Sequence, residues 1–138
     1  MTRFDEPSIE TLVGAMHEMW NLLTESEKQF LLEGMKVCRF KRGEMIYKEG
    51  ESPDNLLCLV TGKVKIFRDG YGGRSLINRV LRPVQYFGYR ASMASEPYVT
   101  AASAFEESVV VNIPMVRVNE VMKHNNALCG FFIRALAV

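Results

Sequence analysis

Phe40-Lys-Arg-Gly-Glu-Met-Ile-Tyr-Lys-Glu-Gly-Glu51, followed by Thr61-Gly-Lys-Val-Lys-Ile-Phe67, is the stretch on which the fold turns. Its apolar runs are short, rich in β-branched and aromatic residues, and broken by glycine-bearing turns, a pattern of strands and not of helices. The same punctuation recurs at Asp69-Gly70 and Gly72-Gly73, where glycine supplies the positive backbone angles of a hairpin that could project as a flap around Tyr71. Working outward, the spacing predicts strands near Val37 to Phe40, Met45 to Tyr47, Leu56 to Val60, Lys63 to Phe67, Ser75 to Leu81, Thr100 to Phe105 and Ser108 to Ile113. Many short strands at regular intervals imply a barrel or jelly roll.

Helical periodicity brackets this region. Ser8 can cap a helix with apolar positions at Ile9, Leu12, Val13, Met16, Met19, Trp20 and Leu23. Thr24 and Glu27 form a capping-box signature for a second helix, with Gly34 as its expected C-terminal glycine. After Ile113-Pro114, Val118, Val121 and Met122 make one apolar stripe, and beyond Asn125-Asn126 the run Leu128, Phe131, Phe132 and Leu136 begins another. That last run reaches Val138 with no glycine or proline stop, so we read it as an interrupted helix.

Composition narrows the function. With 138 residues the chain fits one domain with a real core. Its 48% hydrophobic and 24% charged residues place it among globular chains. The 17 basic and 16 acidic residues give a net charge of +1, so no overall field draws it onto nucleic acid. Lys63, Lys65, Arg68, Arg74, Arg79 and Arg82 form a basic middle, read as a solvated sheet face. Cys38, Cys58 and Cys129 are odd in number and contain no C-x-x-C, which argues against a disulfide framework or zinc knuckle and for reduced thiols in a cytoplasm. No signal peptide and no apolar run of membrane-spanning length is present, so no membrane role is expected. No nucleophile motif, paired carboxylates with a histidine, or phosphate-binding glycine loop supports an enzyme. A cupin-like metal site would need histidines in the strands, and Val37 to Ile113 contains none.

The order of Phe40-Lys-Arg-Gly-Glu-Met-Ile46, Glu49-Gly-Glu51, Asp54-Asn-Leu-Leu-Cys-Leu-Val60, Thr61 to Phe67, and Tyr86-Phe-Gly88 followed by Pro97 to Ala104 resembles the cyclic-nucleotide-binding-like sensor domain of Crp/Fnr-type transcriptional regulators. The resemblance implies a mainly β fold: an eight-stranded β-roll, or double-stranded jelly-roll-like β-helix, with flanking helices. It divides the chain into an N-terminal helical segment (1–35), a β-roll sensor domain (36–114), and C-terminal helices (115–138) truncated within a dimerisation helix. It further implies a small-molecule or gas effector inside the roll and a homodimer through the C-terminal helix. DNA contact would be made only by a helix-turn-helix domain absent from these residues.

The family's cassette begins Phe-Gly-Glu, the Glu accepting from ribose, and later sets an Arg just before Ser/Thr-Ala to pair with the cyclic phosphate. Here the segments read Phe87-Gly88-Tyr89 and Pro97-Tyr98-Val99-Thr100-Ala101, and we assign Tyr89 and Tyr98 to the Glu and Arg positions. A buried phosphate without its guanidinium partner is strongly disfavoured, which argues against cyclic AMP. The expected effector pocket comprises Gly88, Tyr89, Arg90, Ala91, Ser92, Tyr98, Val99 and Thr100. The two tyrosines suit a planar or aromatic ligand, or fill the pocket themselves. Arg90 is the one cation expected to meet an anion there, with a structural ion pair as its ordinary role. Some relatives bind haem to sense nitric oxide or carbon monoxide, so haem is a candidate cofactor, with Met93 and His124 as candidate axial ligands and gap filling and a solvated helix junction as their ordinary roles. A ligand-free interaction module is the remaining alternative.

Overall fold

The computed structural model describes residues 16–69 and 75–137. Two short helical pieces come first, α1 (His17–Trp20) and α2 (Glu25–Gly34). Strands β1 (Lys36–Phe40), β2 (Met45–Tyr47), β3 (Asn55–Thr61), β4 (Val64–Asp69), β5 (Ser75–Leu81) and β6 (Gln85–Phe87) follow. Helix α3 (Tyr89–Met93) interrupts them before β7 (Ala101–Ala104) and β8 (Ser108–Pro114), and α4 (Met115–Met122) and α5 (Asn126–Leu136) close the described chain.

The strands form two antiparallel four-stranded sheets, ordered β1-β8-β3-β6 and β2-β7-β4-β5. This is the expected β-roll. The period and glycine punctuation locate seven of the strands, and β6 is the addition. Three residues after Arg82-Pro83 are too few to show an alternation, and β6 exists because Leu57, Cys58 and Leu59 of β3 pair with it.

Strands β3 and β8 read as continuous apolar runs, Leu-Leu-Cys-Leu-Val and Val-Val-Val-Asn-Ile, because their sheet is covered on both faces. Leu57, Leu59 and Val110 pack between the sheets with Tyr47, Val64, Ile66, Leu81, Phe87, Tyr98 and Ala102. Leu56, Cys58, Val111 and Ile113 pack outward against Met16, Met19, Trp20, Leu31, Val118, Val121, Leu128 and Phe132 of the helices. Burial pushes the Cys58 thiol up to about 12.

The capping box forms as its spacing demands: the Glu27 N–H donates to Thr24 Oγ1 at 3.2 Å and the Thr24 N–H donates to Glu27 Oε1 at 2.8 Å. Gly34, the expected C-terminal glycine, is the last residue of α2, and the next residue, Met35, is extended. The residue is small because Arg117 crosses it: a Cβ there would sit 2.6 Å from Arg117 Cδ. Arg117 Nη1 donates to Phe30 O at 2.7 Å, tying α4 to the end of α2. At the α4–α5 junction, Asn125 Oδ1 accepts from Leu128 N at 2.9 Å, while its amide donates to Leu22 O and Glu27 Oε1. The predicted first helix from Ser8 lies mostly outside the described residues, as does the turn around Tyr71.

At the β3–β4 corner Gly62 adopts φ 95°, and a Cβ would collide with Ser108 and the Glu107 carbonyl. The buried Ser108 hydroxyl closes that corner, accepting from Lys63 N and donating toward Lys63 O and Glu106 O. Among the described residues no helix is long and apolar enough to cross a membrane.

Candidate functional site

Strand β6 ends at Phe87, and the chain must turn sharply to start α3. Gly88 does this with φ 78°, in a place where a Cβ would meet the Tyr98 hydroxyl at 3.0 Å and Leu57 Cδ1 at 3.1 Å. Helix α3 and the segment leading into β7 then frame a cleft of about 230 Å³ against β2, β4 and β5. Of the expected pocket residues, Gly88, Tyr89, Arg90, Ala91, Tyr98, Val99 and Thr100 line it. Ser92 does not. It borders a neighbouring groove with Gly50, Pro53 and Glu96.

The two tyrosines separate. The Tyr98 backbone is clamped by the turn before β3: Gly50 N donates to Tyr98 O at 2.8 Å and Tyr98 N donates to Glu51 O at 3.0 Å. This aims its ring between the sheets, stacked on Tyr47 at 3.7 Å between centroids and 8° between planes. Its hydroxyl donates to Gly88 O at 3.3 Å, and burial pushes its pKa up. Tyr89 instead belongs to the helix-side core, 5.5 Å from the Phe132 ring of α5. Tyr98 therefore stacks on Tyr47 and Tyr89 packs against Phe132.

The residue immediately before Thr100-Ala101 is Val99, which is 63% exposed and lines the cleft, whereas Tyr98 is one residue earlier and buried. Tyr98, assigned to the arginine position, plugs the interior, and Val99 stands beside it at the cleft.

Arg90 is engaged: Nη1 donates to Leu136 O at 3.2 Å and Nη2 to Ala135 O at 3.0 Å, at the end of α5. Its guanidinium lies 5.9 Å from the Tyr89 ring centroid. These helix-terminal carbonyls attract a cation electrostatically.

Tyr47, Ile66, Asn78 and Arg79 also line the cleft and fall outside the sequence expectation. Tyr47 is hidden by a register shift in β2, between Met45 and Tyr47. Burial raises the Tyr47 phenol, opposed by a hydrogen bond with Thr100 and the charge of Arg79. Arg79, expected on a solvated face, is exposed and also lines the cleft; it pairs with Ile66, while Phe67 pairs with Ile77, leaving Asn78 bulged.

The candidate haem ligands lie elsewhere and apart. Met93 is half-buried against the helix-side core, and His124 is exposed beside Glu120, in a groove with Phe30 and Val121. The cleft's lining contains no histidine, methionine or cysteine. Among the described residues no group of three or more His, Cys, Asp or Glu side chains gathers to hold a metal ion.

Residues 37–125 match the family model of the cyclic nucleotide-binding domain. The chain belongs to this family. This cyclic nucleotide-binding domain is 38% identical over 96 residues to a cGMP-dependent protein kinase of Toxoplasma gondii, covering 70% of the chain and 9% of the kinase. It is 31% identical over 83 residues to the CRP-like cAMP-activated global transcriptional regulator of Mycobacterium tuberculosis, covering 60% of the chain and 37% of the regulator. The chain spans well under half the length of both curated relatives. Its fold superposes with a TM-score of 0.81, at 21% identity, on the sensor domain of the transcriptional regulator DNR from Pseudomonas aeruginosa, covering 94% of this chain and 87% of that one.

Proposed function

We propose that this cyclic nucleotide-binding domain is the effector-sensing β-roll of a cytoplasmic Crp/Fnr-type transcription regulator, and that its cassette does not hold a cyclic nucleotide. The observation that carries this is the cassette itself: Tyr89 lies beneath Phe132, and Tyr98, assigned to the arginine position, is stacked on Tyr47 in the interior. A cyclic phosphate brought here would lose water without gaining a guanidinium at its usual place. The likeness of fold to the DNR sensor domain, at nearly full coverage of both chains, supports a regulator over a kinase, whose match covers 9% of its length. The domain acts by binding and not by catalysis. An effector beside Tyr89 biases the packing of α5 through the Tyr89–Phe132 contact, and in a homodimer paired through that helix the shift would reorient helix-turn-helix domains lying outside these residues.

Isothermal titration with cyclic AMP and cyclic GMP tests the reading. We expect no saturable heat from the native chain, and a gain of binding in the Tyr89→Glu, Tyr98→Arg double variant. Saturable binding of either nucleotide to the native chain at micromolar concentration would overturn it. A Soret band saturating at one equivalent of haem would replace it with a gas sensor.

A further inference from the structure

The cleft keeps one cation whose use the fold does not explain. Arg90 is committed to the carbonyls that end α5. Arg79 has no carboxylate within ion-pair distance among the described residues, yet it lines the cleft, and its charge acts on the Tyr47 phenol. Its aim is a built feature. Arg79 pairs with Ile66, and the extra residue at Asn78 breaks the β4–β5 register so that Asn78 lines the cleft beside it. Asn78, Arg79 and Thr100 bring polar groups to the lining of the cleft, and Ile66, Phe87, Tyr89 and Val99 bring apolar and aromatic ones.

Size and charge then select the ligand. An apolar cavity of about 150 Å³ suffices for one benzene ring, whereas drug-sized ligands occupy roughly 300–1,000 Å³. At about 230 Å³ the cleft admits one ring with a small substituent and is short of a base joined to a sugar phosphate. A single uncommitted guanidinium matches a planar monoanion through two parallel hydrogen bonds, and a phosphate dianion would leave charge unpaired.

We propose that this cleft receives a small single-ring aromatic carboxylate, its carboxylate on Arg79 and Asn78 of the β5 bulge with Thr100 beside them, and its ring between the apolar walls. The inference rests on the preceding reading of the cassette and assigns it an effector class. Anion recognition has moved from the cassette to the opposite strand.

The test is saturation-transfer NMR and calorimetry on the native chain with benzoate and salicylate, against benzamide, inorganic phosphate and cyclic AMP. Saturable binding of the carboxylates is expected, with benzamide weaker by about tenfold or more, the worth of one charge-assisted pair. Arg79→Gln should weaken benzoate by a similar factor without shifting the melting temperature, because Arg79 is solvent-exposed, while Arg82→Gln, on the same strand connection but outside the cleft, leaves affinity unchanged. Equal binding of benzamide, indifference to Arg79→Gln, or no saturation transfer to either carboxylate overturns the proposal. If neither carboxylate nor cyclic AMP binds, the effector class falls and the cassette reading stands. If cyclic AMP binds and the carboxylates do not, both fall.

Discussion

Truncating Phe132 should disconnect the cleft from α5. The ring is 1% exposed, touches Tyr89 at 5.5 Å and is met edge-on by Phe131 at 5.3 Å, which in turn meets Tyr86 at 5.6 Å. Removing a buried Phe to Ala costs about 3–5 kcal/mol, a large fraction of the roughly 5–15 kcal/mol that holds a domain of this size together. Within that loss, one aromatic pair accounts for about 0.5–1.5 kcal/mol beyond its area. A double-mutant cycle of Phe132→Leu and Tyr89→Leu, measured by urea unfolding, should isolate a coupling in that range while both single variants stay folded. Amide exchange along α5 should speed up in Phe132→Leu more than in β3 or β8, since α5 loses its anchor and the sheets do not. A coupling near zero, together with unchanged exchange along α5, would refute the ring contact as the link between cassette and helix.

The remaining predictions concern stability and reactivity. Gly62→Ala combines a left-handed backbone with a collision against Ser108 and the Glu107 carbonyl, so we expect a loss of about 2–5 kcal/mol by denaturant titration, and a loss below 1 kcal/mol would contradict the corner's geometry. Cys58, raised to about 12 by burial, should react with a thiol reagent at pH 8 only as fast as the protein unfolds, and mass spectrometry showing prompt labelling would contradict that burial. At Glu27, desolvation raises the carboxyl, but hydrogen bonds from Thr24 and Asn125 outweigh it and hold it below the ordinary value. Its contribution is therefore complete above the unfolded carboxylate pKa of about 4.3 and is lost as pH falls through the lower folded value. Glu27→Gln should flatten the stability profile in that acidic window, and an unchanged profile would remove Glu27 from the junction.

The sequence by itself determined the roll and its bracketing helices. Glycine turns at Lys41–Glu44, Lys48–Glu51 and Thr61-Gly62 cut the chain into runs too short for helices, and Thr24–Glu27 wrote its own cap, because turn and cap chemistry are satisfied by neighbours along the chain. It also showed a cassette with no glutamate after Phe87-Gly88 and no arginine before Thr100-Ala101. What only the tertiary structure decided is where side chains of similar sequence character go. Strand β6 exists through its pairing with β3, Gly34 is small because Arg117 arrives from a distant helix, and Tyr98 and Val99 part because a loop near Gly50 clamps the backbone between them. Arg79 and Arg82 look alike in a basic stretch, yet only the first, paired with Ile66 across the sheet, lines the cleft. These outcomes depend on register and contact between segments far apart in the chain, and local periodicity carries no record of either.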